Sequence, residues 1–146
     1  MDTLGEQLLA MVPFARTVGL TVTEVGPSGA VVRLPASAQN LNHVGGPHAG
    51  AMFTAGETAS GAVVLAAFGG TLSRATPLAV HAEIDYTAFA QSDVTATATL
   101  DADPAEVLAT LDRGERPEFD VAVDLTCEGM PVARLVVRWT LRPVRG

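Results

Sequence analysis

The feature that most constrains the fold is an apolar segment of about twenty residues in the middle of the chain. It runs from about residue 48 to residue 68, consists mainly of small hydrophobic residues, and is followed by Gly69 and Gly70, which predict the end of a helix. A helix that is apolar on nearly all sides is typical of a protein core. Because Glu57 and several hydroxyl side chains interrupt the segment, we interpret it as the buried helix of a soluble protein rather than a membrane span.

Six shorter segments carry strand signals, and the longest of them alternate regularly between apolar and polar residues. They lie near 20–25 and 30–34 before the helix, and near 78–88, 94–101, 119–127 and 133–142 after it. Alternation of this kind indicates antiparallel strands with one buried face. The order of elements predicts an α+β fold in which an antiparallel sheet of about six strands wraps around one long central helix.

One further helix is predicted at the N-terminus, and another between the strands near 94–101 and 119–127. Thr3, with Glu6 three residues later, forms a capping box, and Pro13 is expected to end the helix that begins there. Asp103 followed by Pro104 is a typical helix start, for which Gly114 is the corresponding stop.

Composition and charge exclude several classes of function. The 146 residues are expected to form a single domain, 1–146, and a net charge of −7 argues against nucleic acid as a partner. All nine basic residues are arginine, which excludes the lysine of a P-loop and a lysine Schiff base. Cys127 is the only cysteine, and Asp2 and Glu6 occupy the place of the basic start of a secretory signal. We therefore expect a cytoplasmic protein without a membrane partner.

A loop rich in glycine and polar residues runs directly into the central helix. Asn42, Gly45, His48 and Gly50 are spaced as Asn-x-x-Gly-x-x-His-x-Gly, and Glu57 follows nine residues after the histidine. This pattern resembles the motif of PaaI-type hotdog-fold acyl-CoA thioesterases, and the order of elements agrees over most of the chain. The resemblance implies the hotdog fold and hydrolysis of acyl-CoA or acyl-carrier-protein thioesters, with neither a cofactor nor a metal.

The resemblance also implies a role for each residue of the motif. Glu57 would be the general base or nucleophile, and the backbone N–H groups of Ala49 and Gly50 would hold the oxyanion. Asn42 would place water or the thioester, and His48 would shape the loop or assist polarisation. A helix N-terminus suits an oxyanion on physical grounds as well, because its N–H groups lack intrahelical partners.

Ala49 departs from the family, which usually has glycine at this place. Its N–H group is retained, but its methyl group is expected to narrow the approach of the thioester. His43 is a further candidate for contact with the substrate, and Tyr86 occupies the position where the family usually has an aromatic residue.

The spacing on the helix predicts an oligomer. Ala49 and Glu57 are eight residues apart, which is about 12 Å at about 1.5 Å per residue. One thioester carbon cannot lie about 3 Å from both groups. We therefore expect a homodimer, or a tetramer that contains it, in which the donor and the acid of each site come from different chains.

Structural roles for the same residues remain open on the sequence alone. Glu57 could form an ion pair with an arginine such as Arg74, since a lone buried carboxylate is costly. His48 could simply cap the helix, and His43 could be an ordinary loop residue.

Two other functions are compatible with the predicted fold. Hydroxyacyl-thioester dehydratases of this fold use a histidine and an acid about fourteen positions apart, as are His43 and Glu57, but their His-Phe-Pro-Gly loop is here His-Val-Gly-Gly. A non-catalytic acyl-thioester-binding protein is the other possibility. His81, Glu83 and Asp85 share a strand face and have metal-ligand chemistry, but a solvated strand explains them more simply and no metal is expected.

Overall fold

The computed structural model describes residues 3–144, which form one antiparallel sheet of six strands and a long helix packed on it. The strands follow the spatial order β1-β2-β4-β5-β6-β3. The helices are α1 (Leu4–Met11), α2 (Pro13–Val18), α3 (Ala49–Phe68) and α4 (Pro104–Asp112). The strands are β1 (Thr21–Val25), β2 (Gly29–Leu34), β3 (Ala75–Tyr86), β4 (Val94–Asp101), β5 (Glu118–Cys127) and β6 (Met130–Pro143). Short 3₁₀ turns at Ala38–Asn40 and Gly69–Thr71 complete the elements. The predicted α+β fold is confirmed.

The N-terminal region contains two helices where the sequence predicted one. The capping box is present, because the Thr3 hydroxyl accepts from the Glu6 N–H and the Glu6 carboxylate accepts from the Thr3 N–H. Pro13 follows the end of α1, as expected, but it also begins α2. A proline is tolerated there because the first residue of a helix has no intrahelical acceptor for its N–H.

Helix α3 is the core of the protein, as predicted. It packs across the inner face of the sheet, chiefly against β2 and β4, and Ala55, Ala59 and Val63 are fully buried. The segment formed by α3 and the following turn is long and apolar enough to cross a membrane, but 56% of an apolar stretch of 18 residues within it is buried inside the fold. Its apolar character therefore serves packing within a soluble-type fold.

The outer face of the sheet is polar and carries cross-strand ion pairs. Arg134 on β6 lies 2.8 Å from Asp124 on β5, and Arg138 on β6 lies 3.0 Å from Asp120 on β5. Exposed pairs of this kind contribute little stability, so their main effect is to keep this face compatible with solvent.

Strand β3 lies at one edge of the sheet, and only its inner edge is paired, with β6. It runs twelve residues from Ala75 to Tyr86, a shift of two to three residues from the predicted 78–88. The shift arises because pairing with β6 begins at Ala75 opposite Pro143 and ends at Tyr86 opposite Ala133. A long strand with a free edge is a template for pairing with another chain.

Two glycines of α3 differ in the space around them, which predicts opposite effects of the same substitution. A Cβ atom at Gly56 would lie 2.6 Å from Leu135 Cδ2, whereas at Gly61 the nearest atoms are Trp139 ring carbons at 3.6 Å. We expect Gly56→Ala to lower the free energy of unfolding by about 1–2 kcal/mol, because overpacking outweighs the gain in helix propensity. Gly61→Ala should raise it by up to about 1 kcal/mol. Urea denaturation of both variants tests this, and effects of the same sign would contradict the described packing.

Candidate functional site

The loop before α3 is organised by the Asn42 side chain. Its Oδ1 accepts hydrogen bonds from the backbone N–H groups of Val44 and Gly46, both at 3.0 Å. The backbone N–H of Asn42 donates to the Gly46 carbonyl at 2.7 Å. Since the side-chain oxygen faces two donors within the loop, the Nδ2 group is the part of the amide that remains for a ligand. Asn42 can thus donate to a substrate oxygen.

Gly46 fixes the loop against the segment that follows β3. It is buried, and a Cβ atom there would overlap the carbonyl group of Ala90. Any other residue would push the loop away from this segment. Gly46 is not a position of the motif formed by Asn42, Gly45, His48 and Gly50, and the available signal for it was the pair of adjacent glycines after Asn42.

His48 is the N-cap of α3. Its Nδ1 accepts from the Gly50 N–H at 2.8 Å, and its backbone N–H donates to the Asn40 carbonyl at 2.7 Å. A neutral His48 that accepts at Nδ1 carries its proton on Nε2. The capping role, which the sequence left open, is therefore the one seen in the structure.

The two candidate oxyanion donors differ in availability. The Gly50 N–H is engaged by His48, whereas the Ala49 N–H has no acceptor among residues 3–144. Tyr86 donates from its hydroxyl to the Ala49 carbonyl at 2.9 Å and so ties the first turn of α3 to the end of β3. Burial raises the pKa of this tyrosine above its usual value of 10.0, so the hydroxyl remains a donor. Ala49 thus offers a free donor in a fixed position at the positive end of the helix.

Asn42, Ala49 and Tyr86 border one cavity of about 360 Å³, which we call the donor cavity, whereas His48 and Gly50 do not line it. It lies between the loop, the start of α3 and the end of β3. Its lining includes Asn42, Pro47, Ala49, Met52, Tyr86 and Phe89. The cavity therefore brings together two of the predicted site residues, Asn42 and Ala49, and it contains no carboxylate.

Glu57 borders a second cavity of about 200 Å³, which we call the acid cavity. Its lining comes from α1, from α3 and from the sheet, and it includes Leu8, Met11, Glu57, Leu65, Leu72 and Trp139. The Glu57 carboxylate is half-buried and has no hydrogen bond or ion pair within the described part of the chain. Burial raises its pKa above the ordinary value of 4.5.

The ion pair between Glu57 and Arg74 that the sequence left open is not formed. Arg74 forms its ion pair with Asp112 instead, with Nη1 2.9 Å from Oδ1. A half-buried carboxylate without a partner is more typical of a functional site than of a structural one.

None of the three histidines, His48 included, lines either cavity. His43 is exposed and lines neither of them. His81 Nε2 is 3.3 Å from Glu83 Oε1 on exposed strand β3, and no cluster of three potential metal ligands occurs between residues 3 and 144. A larger cavity of about 510 Å³ lies beside α4 and β5. It contains none of the predicted site residues, so its size does not make it the candidate site.

The fold is that of the hotdog-fold, thioesterase-like proteins. The chain belongs to the family described as a domain of unknown function, DUF4442, whose model matches residues 3–141. No curated protein matches the sequence.

Solved structures agree with this class. A Pseudomonas aeruginosa protein of unknown function described as a "probable thioesterase" is 26% identical, with a TM-score of 0.85 over 97% of this chain and 94% of its own. A Shewanella oneidensis protein proposed to be a thioesterase is 21% identical, with a TM-score of 0.82 over 98% and 100%. A point mutant of the phenylacetic acid degradation protein PaaI from Thermus thermophilus is 21% identical, with a TM-score of 0.70 over 89% and 98%. The last two likenesses show the fold alone.

The raised pKa of Glu57 predicts a pH-dependent difference in stability. A group with a raised pKa in the folded state contributes stability that is complete below its unfolded value and is lost as pH rises through the folded value. Glu57→Gln cannot ionise, so its free energy of unfolding relative to the wild type should increase between pH 4 and pH 8. Denaturation at several pH values measures this, with Glu106→Gln at an exposed position as the control. A relative stability of Glu57→Gln that is constant with pH would contradict the unpaired, half-buried environment.

Proposed function

We propose that this chain is a PaaI-type thioester hydrolase that cleaves acyl-CoA or acyl-carrier-protein thioesters. The observation that carries the proposal is the Glu57 carboxylate, which is unpaired within the described residues and borders an apolar cavity. The fold of this class and the 26% identical "probable thioesterase" support the same activity. The proposed site needs no cofactor or metal.

The raised pKa of Glu57 suits it to act as a general base. The carboxylate takes a proton from water, and the resulting hydroxide attacks the thioester carbonyl carbon. The tetrahedral oxyanion is held by the Ala49 N–H, and the Asn42 Nδ2 group donates to the same oxygen. The C–S bond then breaks, and the leaving thiolate takes the proton from Glu57. In the nucleophilic variant of this mechanism, the Glu57 carboxylate attacks the carbonyl carbon, and the C–S bond breaks to release the thiolate and leave an anhydride. Water then hydrolyses the anhydride to the acyl carboxylic acid and the Glu57 carboxylate, and the proton it gives up goes to the thiolate.

The site is proposed to be shared between two copies of the chain. Ala49 and Glu57 stand about 12 Å apart along one straight helix. The donor cavity and the acid cavity have no lining residue in common. A homodimer with two-fold symmetry would place the donor cavity of each chain over the acid cavity of its partner and so form two equivalent sites.

The free edge of β3 supports this assembly. Leu78 and Val80 on this strand are 38% and 44% exposed, which is unfavourable for an edge that faces only solvent. Pairing of β3 with its copy would cover the edge and bring the start of one α3 towards the middle of the other. A tetramer could form from two such dimers without changing the site.

The polar outer face of the sheet and the single cysteine agree with the expected cytoplasmic location, without nucleic acid or membrane partners.

A single substitution can remove the backbone N–H donor of Ala49 and leave the rest of the helix unchanged. Ala49 is the first residue of α3, a position that tolerates proline, and His48 before it is already extended, with φ −66° and ψ 142°. Ala49→Pro therefore deletes one N–H group and leaves the helix start intact. Ala49→Gly retains the N–H and removes only the methyl group.

The activity is tested by release of free thiol from a panel of acyl-CoA esters. We expect Glu57→Gln to lower kcat/KM by about 10²–10⁴, because it removes the base. Glu106→Gln, which makes the same chemical change at an exposed position on α4, should leave the rate unchanged.

Each of the other outcomes has a distinct meaning. Hydrolysis by Glu57→Gln at the wild-type rate would contradict the role of Glu57. Binding of acyl-CoA by the wild type without turnover would identify a non-catalytic acyl-binding protein instead. An enoyl product from a hydroxyacyl thioester, lost in His43→Ala, would favour the dehydratase, although His43 lies outside both cavities.

A further inference from the structure

The acid cavity continues well beyond the carboxylate along one face of α3. The helix contributes Glu57, Thr58, Gly61, Val64 and Leu65 to its lining. These positions fall at i, i+1, i+4, i+7 and i+8, so they form a single stripe of about 12 Å from the acid to the far end. The carboxylate is at the N-terminal end of the stripe, and all three α3 residues beyond Thr58 are apolar or glycine.

The walls on either side of this stripe are apolar as well. Leu8, Met11 and Val12 form the wall on the α1 side, and Leu72 and Trp139 contribute to the opposite wall. The Trp139 indole N–H donates to Ser60 Oγ at 3.1 Å, so the ring offers the cavity only carbon. Beyond Thr58, a hydroxyl or charged group on a bound acyl chain would therefore be buried without a partner.

The volume of the cavity limits the length of its occupant. At about 30 Å³ for each water- or methylene-sized group, the 200 Å³ cavity holds roughly six or seven groups. An extended alkyl chain with bonds of about 1.5 Å advances roughly 1.25 Å per carbon, so seven carbons need roughly 9 Å of the groove. The volume is therefore the tighter limit. It is far too small for a peptide segment but fits one alkyl chain.

We propose that the acid cavity is the acyl pocket and that it selects straight-chain, apolar acyl groups of six to eight carbons. This inference rests on the proposed hydrolase function, because it places the thioester carbonyl at Glu57. The acyl chain of the substrate then lies along α3 towards Leu65 and Leu72. Burial of each methylene group inside the pocket should raise kcat/KM about three- to fourfold, and carbons beyond the eighth add nothing.

Gly61 sets the usable depth of this pocket. It lies one turn beyond Glu57, about 6 Å along the helix, and a Cβ atom there just contacts the Trp139 ring at 3.6 Å. A methyl group fits, but the additional atoms of a leucine side chain must project into the groove. Gly61→Leu therefore blocks the pocket after about four carbons, whereas Gly61→Ala leaves it open.

The test measures kcat/KM for acyl-CoA esters from acetyl to palmitoyl, together with calorimetric binding of non-hydrolysable alkyl-CoA thioethers of the same lengths. The wild type and Gly61→Ala should prefer six to eight carbons. Gly61→Leu should prefer acyl chains of about four carbons and lose at least tenfold in kcat/KM with octanoyl-CoA.

Leu72→Ala, at the exposed far end of the pocket, should extend the optimal acyl length by one or two carbons, so the proposal stays testable if Gly61→Leu does not fold. Met130→Ala, at the exposed start of β6, should leave the profile unchanged.

The two readouts separate this inference from the proposed function. A binding optimum at six to eight carbons without hydrolysis of any ester would overturn the hydrolase and support the pocket. Hydrolysis with a flat profile, or with an optimum at fourteen or sixteen carbons, would overturn the pocket and leave the hydrolase in place. A profile that Gly61→Leu and Leu72→Ala both fail to shift would also overturn it.

Discussion

The fixed distance along α3 is the constraint on which the rest of the site depends. This helix carries a free N–H donor at Ala49 and a carboxylate at Glu57, and its buried face is packed against the sheet along its length. Because a straight helix cannot bring positions eight residues apart together, the proposed mechanism requires that each group completes its site with a second chain. The donor cavity and the acid cavity are separate for the same reason.

The environment of Glu57 is unfavourable for a carboxylate with only a structural role. Burial without a partner raises its pKa and destabilises the ionised form. The apolar walls that cause this effect are also those that would exclude water from an acyl chain. A cost in folding stability and a gain in basicity therefore have one physical origin, which is the low polarity of the acid cavity.

The sequence predicted elements with strong periodicity well and long-range features poorly. The bounds of α3 were predicted within one residue, because a long apolar run, an N-cap and a pair of glycines define both ends. Helix α2 was missed, since Pro13 signals the end of one helix as strongly as the start of another. The occupied Gly50 donor could not be predicted, because it depends on the rotamer of His48. The contribution of Trp139 to the acid cavity depends on tertiary packing, which no local pattern encodes.

The most direct test of the shared site is complementation between two inactive variants. Ala49→Pro lacks the donor and Glu57→Gln lacks the acid, so each homodimer should be nearly inactive. After denaturation and refolding as an equal mixture, about half of the dimers should be mixed, and each should hold one intact site. A shared site predicts recovery of about one quarter of the wild-type thiol-release rate per chain. A mixture as inactive as the separate variants, with mixed dimers demonstrated, would contradict it.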